Sequence, residues 1–138
     1  MVALIVIGFL AGEYITGTGF SADQSGRQAA AGDADFSGRV TRIVDGDTFR
    51  ISSQDASIRI WGLDAPETGT AGGSAATAAL NRLIGGETLN CQQRDIDRYG
   101  RIVAQCVLPG GRDIAGAMIA GGTATEYCYF SRNYYGTC

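Results

Sequence analysis

From Gly38 onward the chain breaks into short β-branched runs closed by polar or glycine-bearing turns, with a longer helical period between the third run and the fourth. That rhythm constrains the fold more than any other feature. Strands this short need several partners, and tight turns favour antiparallel neighbours. Arg39–Val44 reads as a strand, Asp45-Gly46 as a hairpin turn where glycine tolerates positive φ, and Thr48–Ser52 as the return strand. Ser57–Leu63 is a third strand, with Ile58 and Ile60 on one face and Arg59 and Trp61 on the other. Ser74–Ile84 carries Leu80, Leu83, Ile84 and several alanines as an apolar helical stripe, with Ser74 as N-cap and Gly85 as its end. Thr88–Gln93 and Ile102–Leu108 are two further strands about a polar turn. Asp113 caps a short helix, Ile114–Ala120, stopped by Gly121-Gly122. The order β-β-β-α-β-β-α is α+β and mainly β. It suits a five-stranded Greek-key barrel of the OB type with two or so short helices.

Upstream the composition changes. Val2–Gly12 is uncharged and apolar, too short for the roughly 20 residues of a membrane span but right for the apolar region of a signal peptide. It lacks the usual positive flank, and a core strand is the plain alternative. Residues 1–15 are read as a signal or membrane-anchor segment. Residues 16–37, rich in Gly, Ser, Ala, Gln and Asp, are read as a flexible linker, and 38–138 as the folded domain.

Two absences narrow the chemistry. The 138 residues include no histidine and no lysine, so all 11 basic residues are arginine against 14 acidic ones, a net charge of −3. A Ser-His-Asp or Cys-His pair, a phosphate-loop lysine and a Schiff-base lysine are all excluded. Catalysis in such a chain must use carboxylates, arginine, tyrosine or a metal held through oxygen. The acidic balance argues against unspecific DNA binding by the whole surface but leaves room for a local arginine cleft.

The four cysteines, 91, 106, 128 and 138, form no Cys-x-x-Cys pair, which disfavours structural zinc and fits two disulfides in an oxidising compartment. A turn centred near Arg98-Tyr99 sets Cys91 and Cys106 opposite each other across the ladder. That leaves Cys128 to pair with Cys138. Four reduced cysteines in a cytosolic protein are the alternative.

Carboxylates gather at the expected strand ends: Asp45 and Asp47 in the first hairpin, and Asp64 and Glu67 after the third strand. Converging carboxylates with a backbone carbonyl would suit calcium or magnesium. Taken singly, each is equally a turn residue. Arg59 interrupts an apolar strand, where a charge needs a partner or a ligand such as phosphate, unless it lies on an exposed edge. Asp97-Arg98-Tyr99-Gly100-Arg101 is on spacing alone a solvated turn.

Three blocks in order carry a resemblance. Arg39–Thr48 (RVTRIVDGDT), Ile58–Glu67 (IRIWGLDAPE) and Asp97–Arg101 (DRYGR) resemble the motif blocks of the staphylococcal nuclease family, over about Gly38 to Tyr129. The resemblance implies an OB barrel with helices and calcium-dependent cleavage of phosphodiester bonds in DNA and RNA. By matching position, Asp47 and Asp64 would bind calcium. Ala65, where the family often has threonine, would add its backbone carbonyl, and Asp45 would support the site from behind. Glu67 would position or deprotonate the attacking water, and Arg59 and Arg101 would hold the phosphate. Tyr99 would line the nucleotide pocket, with Tyr127 or Tyr129 in the place of the family's late tyrosines. Water would attack phosphorus in line and the 5′-oxygen would leave, giving 3′-phosphate ends.

Thr68–Gly73 lacks the basic residues that many members carry after the glutamate, which implies fewer ionic contacts with nucleic acid and a shallower salt dependence. An aromatic stretch, Tyr127–Cys138, stands in place of the long C-terminal helix of longer members. The expectation is an exported or membrane-tethered nuclease, anchored if at all through residues 2–12. Its substrates would be single-stranded or loosely paired DNA and RNA, and nothing in the sequence indicates a protein partner. The rivals are a non-catalytic OB-fold nucleic-acid-binding module, which would be expected to have lost one of the five site residues, and a structural calcium-binding protein, which leaves Arg59 and Arg101 unexplained.

Overall fold

A computed structural model describes residues 34–138. The apolar N-terminal segment and most of the linker therefore lie outside the described residues. No helix among the described residues is long and apolar enough to cross a membrane.

Strand β1, Phe36–Asp45, turns at Gly46 into β2, Thr48–Ile51, which pairs with β3, Ile58–Ile60. After the two-residue β4, Leu63–Asp64, comes helix α1, Ala71–Ile84. Strands β5, Thr88–Ile96, and β6, Ile102–Val107, form an antiparallel hairpin, followed by α2, Ile114–Ala120, β7, Thr125–Glu126, and α3, Cys128–Ser131. β1 also pairs with β5, and β3 runs parallel to β6, which closes a barrel in the order β1-β2-β3-β6-β5. The expected five-stranded, mainly β barrel is the fold observed.

Alternation explains the closure. Ile102, Ala104 and Cys106 on β6 point inward while their neighbours are half-exposed. Phe49, Ile51, Ile58, Ile60 and Leu89 meet them in one core. Helix α1 lays Ala76, Leu80 and Ile84 against that core at a spacing of four residues. Emptying the Leu80 position to alanine would cost about 2–5 kcal/mol.

Several boundaries differ from those expected. β1 begins at Phe36, so Phe36 and Ser37, placed with the linker by composition, pair instead with Cys91 and Asn90 of β5. The expected third strand divides because Gly62 has φ +74°, a conformation a strand does not continue through. Beyond it, Leu63 and Asp64 pair with Glu126 and Thr125. Helix α1 starts three residues before Ser74, since Thr70 is the cap and its hydroxyl accepts from the Gly73 N–H at 3.0 Å. Two early glycines hide that turn from the apolar pattern, but Gly73 is required there, because a Cβ would collide with the Glu67 carbonyl. Asp113 caps α2 as expected, accepting from the Gly116 N–H. The structure joins Cys91 to Cys106 and Cys128 to Cys138.

Candidate active site

The site begins with a close approach. Gly46 is buried, and its φ is not positive, so the left-handed turn expected of it is not its role. A Cβ there would stand 2.6 Å from the Ala76 side chain on α1 and 2.8 Å from that of Ala65. Only glycine lets the β1–β2 hairpin press onto the helix and onto the chain that follows Asp64. This contact brings Asp47 to Ala65, whose N–H donates to Asp47 Oδ2 at 3.2 Å. Asp45 tightens the turn by accepting the Asp47 N–H at 3.0 Å.

β2–β3 register sets Thr48 opposite Arg59. Arg59 Nη2 lies 3.3 Å from Asp47 Oδ2, both side chains being 14% exposed, and Nη1 donates to the Ile60 carbonyl at 2.9 Å. Arg101, just before β6, is held by Asp97, with Nε donating to Oδ2 at 2.6 Å and its own N–H to Oδ1. Thr48 connects the two halves. Its hydroxyl donates to Asp47 Oδ1 at 3.0 Å and accepts from Arg101 Nη1 at 3.4 Å. Arg59, Arg101, Tyr99 and Tyr127 line one cleft of about 590 Å³.

The stretch from residue 57 to residue 136 matches the family model described as staphylococcal nuclease homologue. The chain belongs to the staphylococcal nuclease family. It is 36% identical to an uncharacterized endonuclease of Escherichia coli over 96 residues, which is 68% of this chain and 63% of the relative. It is also 36% identical to a micrococcal nuclease of Shigella flexneri over 109 residues, 72% of this chain and 63% of the relative. Protein ParB of Escherichia coli is 31% identical over 109 residues, 72% of this chain and 62% of the relative. The chain thus spans somewhat under two thirds of the length of the curated relatives it matches. The family match takes in Arg59, Asp64, Ala65, Glu67 and Arg101 and begins beyond the Asp45–Asp47 hairpin.

In this staphylococcal nuclease family member the expected residues are gathered unequally. Asp47, Arg59, Thr48, Arg101 and the Ala65 N–H form one bonded group. Asp64 is exposed at the end of β4, with its backbone carbonyl accepting from Thr125. Glu67 is also exposed. Its carbonyl takes hydrogen bonds from Thr70, which ties it to the start of α1, but no ion pair among the described residues joins its carboxylate to an arginine. Tyr99 lies against the guanidinium groups of Arg98 and Arg101, at 4.9 and 5.5 Å from its ring centre. Tyr129 is 80% exposed, meets Phe130 edge-on and does not line the cleft.

The electrostatics of the two bonded acids differ. Burial, together with the neighbouring Asp45, pushes the Asp47 carboxyl above the usual range against the pull of Arg59. Burial also opposes ionisation of Asp97, but the bonds from Arg101 and the Tyr99 N–H outweigh it and hold Asp97 low. Asp47 is therefore a half-buried carboxylate whose neighbours are the Arg59 guanidinium, the Ala65 N–H, the Thr48 hydroxyl and the Asp45 carboxylate. The residues here whose hard oxygens could hold a calcium ion are Asp47, Asp64 and Ala65, the last through its carbonyl. No three of Asp45, Asp47, Asp64 and Glu67 bring carboxylate oxygens within 4.8 Å of one another. The group of three that does, Glu126, Cys128 and Cys138, has both cysteines in a disulfide.

Thr48, buried and 2% exposed, is the site residue that sequence reasoning misses. Its place after Asp47 in the hairpin motif was the available signal, but a threonine opening a strand reads as ordinary β propensity.

Proposed function

We propose that this chain is a calcium-dependent phosphodiesterase that cleaves DNA and RNA, single strands in preference, and leaves 3′-phosphate ends. The observation that carries this reading is the continuous bonded chain Asp47–Thr48–Arg101 with Arg59 on Asp47. It couples a carboxylate suited to a cation with two guanidinium groups that open onto one cleft.

Arg59 and Arg101 hold the non-bridging oxygens of the scissile phosphate and offset the charge that builds up as phosphorus becomes five-coordinate. Glu67 takes a proton from the attacking water. The water oxygen bonds to phosphorus, the bond to the 5′-oxygen breaks in line, and that oxygen leaves as a hydroxyl after taking a proton from solvent water. Bound by Asp47, Asp64 and the Ala65 carbonyl, calcium would supply Lewis-acid stabilisation of the phosphoryl oxygens and orientation of the water. Tyr99 and Tyr127 flank the sugar and base on the cleft side. The two disulfides fit an oxidising compartment and support reading the chain as exported, or tethered through residues 2–12.

The test is degradation of single-stranded DNA with calcium and then with excess chelator, with the ends of the products identified. The expected result is turnover with calcium, none with chelator, and 3′-phosphate ends. Full activity in chelator overturns the calcium dependence. Binding without cleavage leaves the non-catalytic binding module.

A further inference from the structure

The cleft does not stop at the two phosphate-holding arginines. It continues across the outer face of the barrel to Trp61, Arg94 and Phe130. We propose that this far end is a second subsite, which binds the phosphate and base of a neighbouring nucleotide of a single-stranded nucleic acid. The proposal rests on the nuclease reading for the identity of the strand, but not for the subsite's geometry.

Three observations carry it. First, a β-bulge places Arg94. In the β5–β6 ladder Gln93 faces Ala104 and Asp95 faces Val103, so Arg94 is the extra residue and its side chain is re-aimed. It comes to lie 5.0 Å over the Trp61 ring. Trp61 follows Arg59 by two residues, on the same face of the chain, and its N–H bonds the Ala104 carbonyl at 2.9 Å.

Second, Arg94 is held without being neutralised. Its guanidinium donates to Gln105 Oε1, and Gln105 in turn donates to Asp113 Oδ2 at 2.8 Å. The ion pairs among the described residues are Arg59–Asp47 and Arg101–Asp97, so Arg94 keeps its charge for a ligand. Asp95 and Asp97 also line the cleft. Asp97 is tied to Arg101, and Asp95 accepts the Ile96 N–H. Asp35 lies nearby too, but its carboxylate accepts the Gln93 N–H, and a fixed guanidinium outside any ion pair among the described residues is a group that a phosphate can engage.

Third, an aromatic surface adjoins that charge. Phe130 is 51% exposed and is propped edge-on by Tyr127 at 4.8 Å and by Tyr129 at 5.0 Å. On the other side Trp61 is steadied by Tyr134 at 5.3 Å and Tyr135 at 6.2 Å. Ring faces beside an arginine make a stacking platform for unpaired bases. A duplex keeps its bases paired and cannot use it.

The experiment measures binding rather than cutting. In the Glu67→Gln background, so that strands survive, the affinity of the 138-residue chain for a fluorescein-labelled oligothymidylate is followed by anisotropy against salt, beside the matching duplex. Arg94→Gln should reduce the slope of log affinity against log salt by about 0.7, the value for one phosphate contact on a single strand. Arg94→Lys should keep the slope. Phe130→Ala should weaken single-strand binding about tenfold at unchanged slope and leave duplex binding as it was. Both side chains are exposed, so neither change empties the core. An unchanged slope in Arg94→Gln would mean that this arginine only packs on Trp61, and would overturn the proposal, as would equal losses on single strand and duplex in Phe130→Ala. If the chain with Glu67 restored binds the strand in this pattern but never cuts it, the nuclease reading falls and the subsite stands.

Discussion

Asp47 and Glu126 are two acids set into the same small domain, and their surroundings drive them in opposite directions. Asp47 meets one guanidinium, one hydroxyl and one N–H beside a second carboxylate, and burial lifts its carboxyl above the usual range. Glu126 is 6% exposed, yet its two oxygens accept from the Ser131 hydroxyl, the Tyr135 N–H, the Thr137 N–H and the Thr137 hydroxyl. Burial would raise it too, but those four neutral donors prevail and bring it to about 2. The difference separates a carboxylate crowded by a second acid from one that is complete. Glu126 gathers the C-terminal tail beside the Cys128–Cys138 bridge, and nothing is left over for a ligand. Position within a tight cluster of possible metal ligands would have chosen the wrong one of the two.

The contrast can be broken most sharply at the arginines. Arg59→Lys and Arg101→Lys should each lower kcat by about 10²–10³-fold, because an ammonium cannot reproduce the planar fork around a phosphoryl group. Steady-state rates on single-stranded DNA check this, with circular dichroism to verify the fold. Glu67→Gln should cost at least about 10²-fold in kcat, the low end for a lost proton acceptor. A rate within a few-fold of the original would remove Glu67 from the chemistry. Thr48→Val should cost roughly 10-fold or somewhat more, and Thr48→Ser should recover most of it, since what matters is a hydroxyl that supports Asp47 and receives Arg101. If Thr48→Ser is as poor as Thr48→Val, the methyl group's packing is the cause instead.

The smallest effect on turnover belongs to Glu126→Gln, whose consequence is for stability. The Glu126 carboxyl titrates at about 2 in the folded chain, against 4.5 as its ordinary value. Its stabilising contribution is therefore complete above about pH 4.5 and is lost as the pH falls towards 2. Thermal melts of the two proteins should differ most above pH 4.5 and converge near pH 2. A difference in Tm that is constant across that range, or a loss of turnover as large as that of Arg59→Lys, would erase the distinction between the two acids.

Much of the barrel is legible in the sequence because its causes are local. Alternation marks Ile58–Ile60 and Ile102–Val107, and an aspartate before Ile114 marks a cap. Equal spacing about Arg98-Tyr99 names the Cys91–Cys106 pair, although the turn is centred on Tyr99, with Ile96 opposite Ile102, and it is the bulge at Arg94 that brings the two cysteines face to face. What is not legible depends on approach between distant segments. The need for Gly46 comes from Ala76 on α1, thirty positions on, and looks in sequence like a turn glycine. Glu126 finds its partners in an irregular tail without any period. The bulge at Arg94 is one residue of mismatch between two strands, which neither strand shows alone. The placement of Tyr127 in the cleft and of Tyr129 outside it follows from the single turn of α3, which the expected elements lack.

The parallel seam between β3 and β6 also governs how the chain can be made. β3 ends at Ile60, but the strand it needs on its far side ends at Val107, and β1 waits as well for β5. At roughly 5–20 residues per second, a ribosome leaves the apolar face of the first meander uncovered for several seconds before its partners exist. Among the described residues, the barrel cannot close during synthesis until the hairpin carrying Cys91 and Cys106 emerges.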